Sequence, residues 1–142
     1  MLKAMVAADP PPRVRSLTPA EIKAYDLIPE SIARRARVIT IPKPPGPFQG
    51  FAVGRNVWLT KPVEADGNSA LLAHELVHLR QWNELGVVGF SVRYLQDFFK
   101  GVRTHRNWMK AYSNINAEAE ARQLTRDWLT RRRAHTDQIP EE

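Results

Sequence analysis

At 142 residues, with 43% hydrophobic and 25% charged residues, the chain has the size and composition of one globular domain. It contains no Cys, which excludes a disulfide and any thiolate metal site, so a metal here would have to be held by His and carboxylate. No run of about 18 apolar residues is present, which excludes a membrane-spanning helix; the net charge of +6 comes without an aromatic-rich nucleic-acid motif, so Arg on solvated faces accounts for it and no specific nucleic acid is expected as a partner.

Residues 1–16 read as a flexible lead, because Pro10-Pro11-Pro12 disfavours a helix. The first residues are too short, and too soon followed by Asp9, to be a secretory signal. A cytoplasmic location is therefore expected, with export by a non-classical route or from a longer precursor left open. Thr18-Pro19-Ala20-Glu21 predicts a helix start, with Thr as N-cap and Pro at the first helical position, and a short helix over 19–26. A second short helix is expected from Pro29-Glu30 to Arg35. Arg37-Val38-Ile39-Thr40-Ile41 is β-branched and predicts a strand. Residues 42–47 hold four Pro and one Gly and form a stiff loop. Residues 51–60 predict two short strands around a turn at Gly54-Arg55-Asn56, with Lys61-Pro62 ending the second.

Asn68 or Ser69 can cap a helix running to about Leu85, where Gly86 offers a stop. A further amphipathic stretch covers 90–100 and ends at Gly101. Residues 107–112 add a turn or short helix. Asn116 caps a last helix over about 117–133, with Leu124, Trp128 and Leu129 on its buried side. Trp82, Trp108 and Trp128 read as core anchors, and residues 135–142 as a disordered tail. The organisation expected is a lead over 1–16, one domain over 17–134, and that tail.

The helix after Ser69 carries His74-Glu75-Leu76-Val77-His78. Two His four apart on a helix project from one face, about one turn apart, and can reach a single Zn²⁺. Glu75 can then hold and deprotonate a water at the metal. Chance produces this pattern in roughly one chain in a hundred, so its context has to decide.

A catalytic zinc site needs three protein ligands and an open position. The segment Asn116-Ala117-Glu118-Ala119-Glu120-Ala121-Arg122 offers two carboxylates downstream. Glu118 and Glu120 diverge by about 200° on a helix and cannot easily share one metal. Glu118 is taken as third ligand and Glu120 as runner-up. Small Ala residues at 117, 119 and 121 would let this helix approach the His helix closely.

These residues resemble the gluzincin class of zinc metallopeptidases. More narrowly, Gly54-Arg55-Asn56-Val57-Trp58-Leu59 followed by Leu71-Leu72-Ala73-His74-Glu75-Leu76-Val77-His78-Leu79-Arg80-Gln81-Trp82 is similar to the bacterial metallopeptidase-like domain of the extracellular contractile injection system core type. The match covers about residues 51–82, with a weaker one at 116–122. The resemblance implies zinc held by His74, His78 and a downstream Glu, with Glu75 as general base. Glu118 and Ala121 fit the pattern around the third ligand, whereas Arg122 stands where an orienting Asp often follows. The second partner of His74 is thereby left unassigned. The resemblance also implies a peptide or protein substrate bound in extended form along a strand edge, for which residues 57–60 are the candidate.

The expected fold is α+β: a minimal zincin-like domain with a short antiparallel sheet, the H-E-x-x-H helix, and a C-terminal helix carrying the third ligand. The expected function is zinc-dependent peptide-bond hydrolysis with Glu75 activating water. Tyr94, His105 and Tyr112 are candidate donors to the oxyanion. The alternative is a zinc-binding scaffold or interaction domain with little or no peptidase activity, part of a secretion or injection apparatus. A third reading, a basic nucleic-acid binder with a chance motif, would show as salt-dependent DNA binding without metal.

Overall fold

The computed structural model of the protein describes residues 13–46, 49–106, 111 and 115–137. It is an α+β domain with four strands and four helices among those residues: β1 (Arg13–Ser16), α1 (Pro19–Ala24), α2 (Glu30–Arg35), β2 (Arg37–Thr40), β3 (Gly50–Val53), β4 (Asn56–Leu59), α3 (Ala70–His105) and α4 (Asn116–Asp137).

The sheet is mixed, in the order β1-β2-β4-β3, and not purely antiparallel as expected. The hairpin β3–β4 is antiparallel, with Val53 opposite Asn56 across the two-residue turn. β4 then inserts beside β2 in parallel, Val38 opposite Val57. The Pro-rich loop after β2 makes this possible by carrying the chain past β4, so that β3 ends up outermost. Residues 57–59 of the expected substrate strand, 57–60, are therefore paired on both sides, and among the described residues β3 is the outermost strand on that side.

The other edge is β1, formed by residues expected to be part of a flexible lead. Its Arg13 to Ser16 pair antiparallel with β2. A part-buried ion pair ties them down: the half-buried Arg15 guanidinium donates to both oxygens of Glu21, at 2.5 and 3.0 Å. Glu21 also closes a capping box on α1. Its backbone N–H donates to Thr18 Oγ1, and its carboxylate accepts from the Thr18 N–H. One fully buried carboxylate thus fixes both the helix start and the edge strand. The lead before Arg13, the expected turn with Trp108 and Tyr112, and residues 138–142 lie outside the described residues.

The core lies between the sheet and the helices. Val38, Val57 and Leu59 meet Leu72, Leu76, Val77 and Leu79 of α3, and Trp128 of α4 closes the far side. Trp128 packs against Tyr25, with ring centroids 5.3 Å apart, and its indole N–H donates to the Ala24 carbonyl at 2.8 Å. Ser69 caps α3 by accepting from the Leu72 N–H. Its own N–H donates to the Tyr25 hydroxyl at 3.1 Å.

Gly86 breaks α3 with non-helical angles (φ 73°, ψ 167°), but the second arm continues at once and runs on to His105. The expected stop at Gly101 is not one. Gly101 is buried, and a Cβ there would lie 3.0 Å from Ala111 Cα, so the glycine serves close approach, and Arg106 in the left-handed region (φ 52°) ends the helix. α4 reaches Asp137, past the expected end near Arg133. Its first turn is closed by the Ala119 N–H donating to the Ile115 carbonyl, one residue before Asn116.

Candidate metal centre

The first arm of α3 carries His74, Glu75 and His78, and α4 crosses it with Glu118. The periodicity of both helices decides which side chains meet. On α3, Leu72, Leu76 and Leu79 anchor one face in the core, which turns His74 and His78 towards α4. On α4, Glu118 shares the buried stripe of Ala121, Thr125 and Trp128, at intervals of three and four. Glu120 falls off that stripe and is exposed.

The result is a compact donor cluster. His74 Nε2 lies 3.2 Å from Glu118 Oε2, and His78 Nε2 lies 3.3 Å from Glu118 Oε1. One ligand atom from each of the three residues falls within 4.8 Å of the others. Two imidazole nitrogens and one carboxylate at this spacing could hold one metal ion. His74 is partly open to solvent, whereas His78 and Glu118 are buried.

The electrostatics follow from that burial. Glu75 is buried, and desolvation pushes its carboxyl above the usual carboxylate range against the pull of His78 and His74. For Glu118 burial acts in the same direction, but hydrogen bonds from His74 and His78 outweigh it and hold the carboxyl well below that range. Burial alone would depress His78; its contacts with Glu118 raise it instead.

Gln81, one turn beyond His78, belongs to the run that carries the resemblance but has no role assigned from the sequence. Its Oε1 is 2.7 Å from His78 Nδ1. Its Nε2 donates to the Ala117 carbonyl at 3.0 Å and to Glu120 Oε1 at 3.1 Å. Since both latter partners only accept, the amide has one satisfiable orientation, and Gln81 Oε1 must accept from His78 Nδ1–H. With Nδ1 fixed as the donor to Gln81, Nε2, which here contacts Glu118 Oε1, is the nitrogen left to face a metal when it gives up its proton. Glu120, the runner-up ligand, holds Gln81 and not the donor cluster.

His78 and Glu118 of the cluster line a cleft of about 560 Å³, together with Glu75, Gly50, Ala52, Trp82, Tyr94 and Leu95 among others. β3 forms one wall. A Cβ on Gly50 would lie 2.8 Å from the Trp58 carbonyl oxygen and 3.8 Å from Glu75 Oε1, so glycine brings this strand close to Glu75. The Ala52 carbonyl accepts from the Trp82 indole N–H at 2.9 Å, which pins β3 to α3. Of the candidate oxyanion donors, Tyr94 lines this cleft, His105 is exposed at the end of α3, and Tyr112 lies outside the described residues. Arg122 is half-buried on α4. No protein-family model, curated protein or solved structure matches the chain.

Proposed function

We propose that the protein is a zinc-dependent metallopeptidase of the gluzincin kind. The observation that carries this reading is the convergence of His74, His78 and Glu118 beside a cleft that His78, Glu118 and the buried Glu75 line. A structural zinc site has no use for a carboxylate that is not a ligand, nor for a cleft above it.

His74, His78 and Glu118 would hold the ion, and bound zinc supplies Lewis acidity that lowers the pKa of a water towards about 7. Glu75 is the group to accept a proton from the attacking water. Its burial raises its proton affinity, which suits a base that must later return the proton to the departing amine. Gln81 keeps His78 in the tautomer that presents Nε2. Tyr94 is the cleft residue whose hydroxyl could donate to a developing oxyanion. An extended peptide would pair with the outer edge of β3 at Gly50, beside Glu75, in place of the interior strand expected from the sequence, the next outward carbonyl, of Ala52, being held by Trp82.

The test combines metal content with hydrolysis. Wild type should bind one zinc and cleave unstructured protein substrates, and Glu75→Gln should keep the zinc and lose cleavage. Equal behaviour of the two in the cleavage assay, with zinc bound in both, would move the protein to the scaffold reading. A purified protein that takes up no zinc would remove both.

A further inference from the structure

The second arm of α3 carries an apolar stripe that the core does not use. Val88, Val92, Leu95 and Phe99 recur at intervals of three and four and lie along one side of this arm. All four are exposed, from 48% at Val92 to 76% at Val88, whereas Phe90 and Gly101 on the opposite side are buried. The apolar surface continues beyond the helix. Leu95 lines the cleft together with Phe51 and Val53 of β3, whose side chains are also exposed. The patch therefore reaches from the helix to β3.

Its charged surroundings have one sign. After Gly86 the exposed cations of α3 are Arg93, Lys100 and Arg103, with Arg106 capping its end; the single acid of this arm, Asp97, is half-buried and lines a smaller cavity towards α4 together with Arg93, which leaves Lys100, Arg103 and Arg106 as the cations beside the stripe. A second copy of a chain with net charge +6 would set these cations against their equivalents. A bilayer surface with anionic headgroups complements both properties: its acyl boundary takes the apolar stripe and its headgroups take the flanking Arg and Lys. No helix among the described residues is long and apolar enough to cross a membrane, so the contact is one of lying on the surface.

We propose that the exposed stripe of α3, with Phe51 and Val53, docks the protein on an anionic lipid surface and holds the mouth of the cleft against it. The proposal is independent of metal binding. The test is co-sedimentation of the full chain with vesicles of phosphatidylglycerol and phosphatidylcholine in equal parts, and with phosphatidylcholine alone. Binding is expected to the first and not to the second. Val88→Ser with Val92→Ser should weaken it by about tenfold or more. Lys100→Gln with Arg103→Gln should weaken it by on the order of twentyfold. Circular dichroism verifies that each variant is folded. Absence of binding to the anionic vesicles overturns the proposal, and so does unchanged binding of the valine variant, which would reduce the effect to diffuse charge attraction. A dimer in sedimentation equilibrium that the valine variant abolishes, without vesicle binding, would assign the stripe to a second copy instead.

Discussion

Gln81→Leu isolates the device that orients His78. The substitution keeps side-chain volume close to that of Gln but removes an acceptor 2.7 Å from His78 Nδ1 and a donor shared by the Ala117 carbonyl and Glu120. Both His78 and Gln81 are buried, so water does not simply replace the lost partner. Released from Gln81, the neutral ring can carry its proton on Nε2, where Glu118 Oε1 at 3.3 Å accepts it. Zinc must then compete with that tautomer. Loss of such a partner typically costs about ten- to a hundredfold in metal affinity, or about 1.4–2.8 kcal/mol. Leaving the His78 N–H and the Ala117 carbonyl unpaired adds roughly 1–3 kcal/mol of fold destabilisation for each group that stays dry. The two effects separate in Gln81→Glu, which keeps the acceptor and loses the donor: stability should fall while zinc affinity stays nearer to wild type. Competition against a chromophoric chelator reads the affinity, and thermal unfolding of the metal-free proteins reads the stability. Zinc affinity of Gln81→Leu within about twofold of wild type would refute the orienting role, since the tautomer argument requires a decrease of about tenfold or more.

Metal analysis of purified variants should show stoichiometric zinc lost in His78→Ala and Glu118→Ala but retained in Glu120→Ala, whose carboxylate contacts Gln81 and is exposed; equal loss in Glu118→Ala and Glu120→Ala would undo the choice between them. Gly50→Val should lower peptidase activity with zinc retained, because a Cβ at 2.8 Å from the Trp58 oxygen forces β3 away from its place beside Glu75; unchanged cleavage rates would show that this wall takes no part. Stability should also fall at alkaline pH through Tyr25. Burial first of all raises its hydroxyl to about 12 from an ordinary value of 10.0. The unfolded chain therefore loses this proton first as pH rises past about 10, and the folded state is progressively disfavoured up to the folded value. Tyr25→Phe should flatten that decline in melting temperature, and an identical slope in the variant would exclude Tyr25 as its source.

The local elements were legible because their signals are local. Thr18 with Glu21 and Ser69 ahead of an apolar run each mark a helix start, and the β-branched segment after Ala36 is a strand. What the pattern could not convey was pairing between segments distant in sequence. Arg13–Ser16 has the length of a minimal strand and no hydrophobic alternation strong enough to identify it; it is held by Arg15 on Glu21, a tertiary contact. The parallel insertion of β4 beside β2 is likewise invisible in either segment alone. It decides which strand has a free edge, and so it moved the candidate substrate edge from residues 57–60 to β3. Gly86 and Gly101 look alike in sequence, yet one breaks a helix and the other lies inside it against Ala111.

The cluster itself shows how far helical geometry reaches. His74 and His78 follow from a single helix, and their common face needs no tertiary information. The choice between Glu118 and Glu120 does need it, but the sequence holds the necessary register. Ala121, Thr125 and Trp128 stand three, seven and ten residues beyond Glu118 and are all buried, which places Glu118 on the inward face and turns Glu120 about 200° away. The same reasoning reaches Gln81, which stands three residues beyond His78 and seven beyond His74 and so shares their side of α3. A polar, uncharged residue at that register, between the His78 imidazole and the incoming helix, is placed to hydrogen-bond both. Glu120 completes it from outside: because its carboxylate and the Ala117 carbonyl both take the amide N–H groups of Gln81, the carbonyl end can only face His78. The two acids two residues apart on α4 thus act on the same imidazole from opposite sides, Glu118 at Nε2 directly and Glu120 at Nδ1 through Gln81.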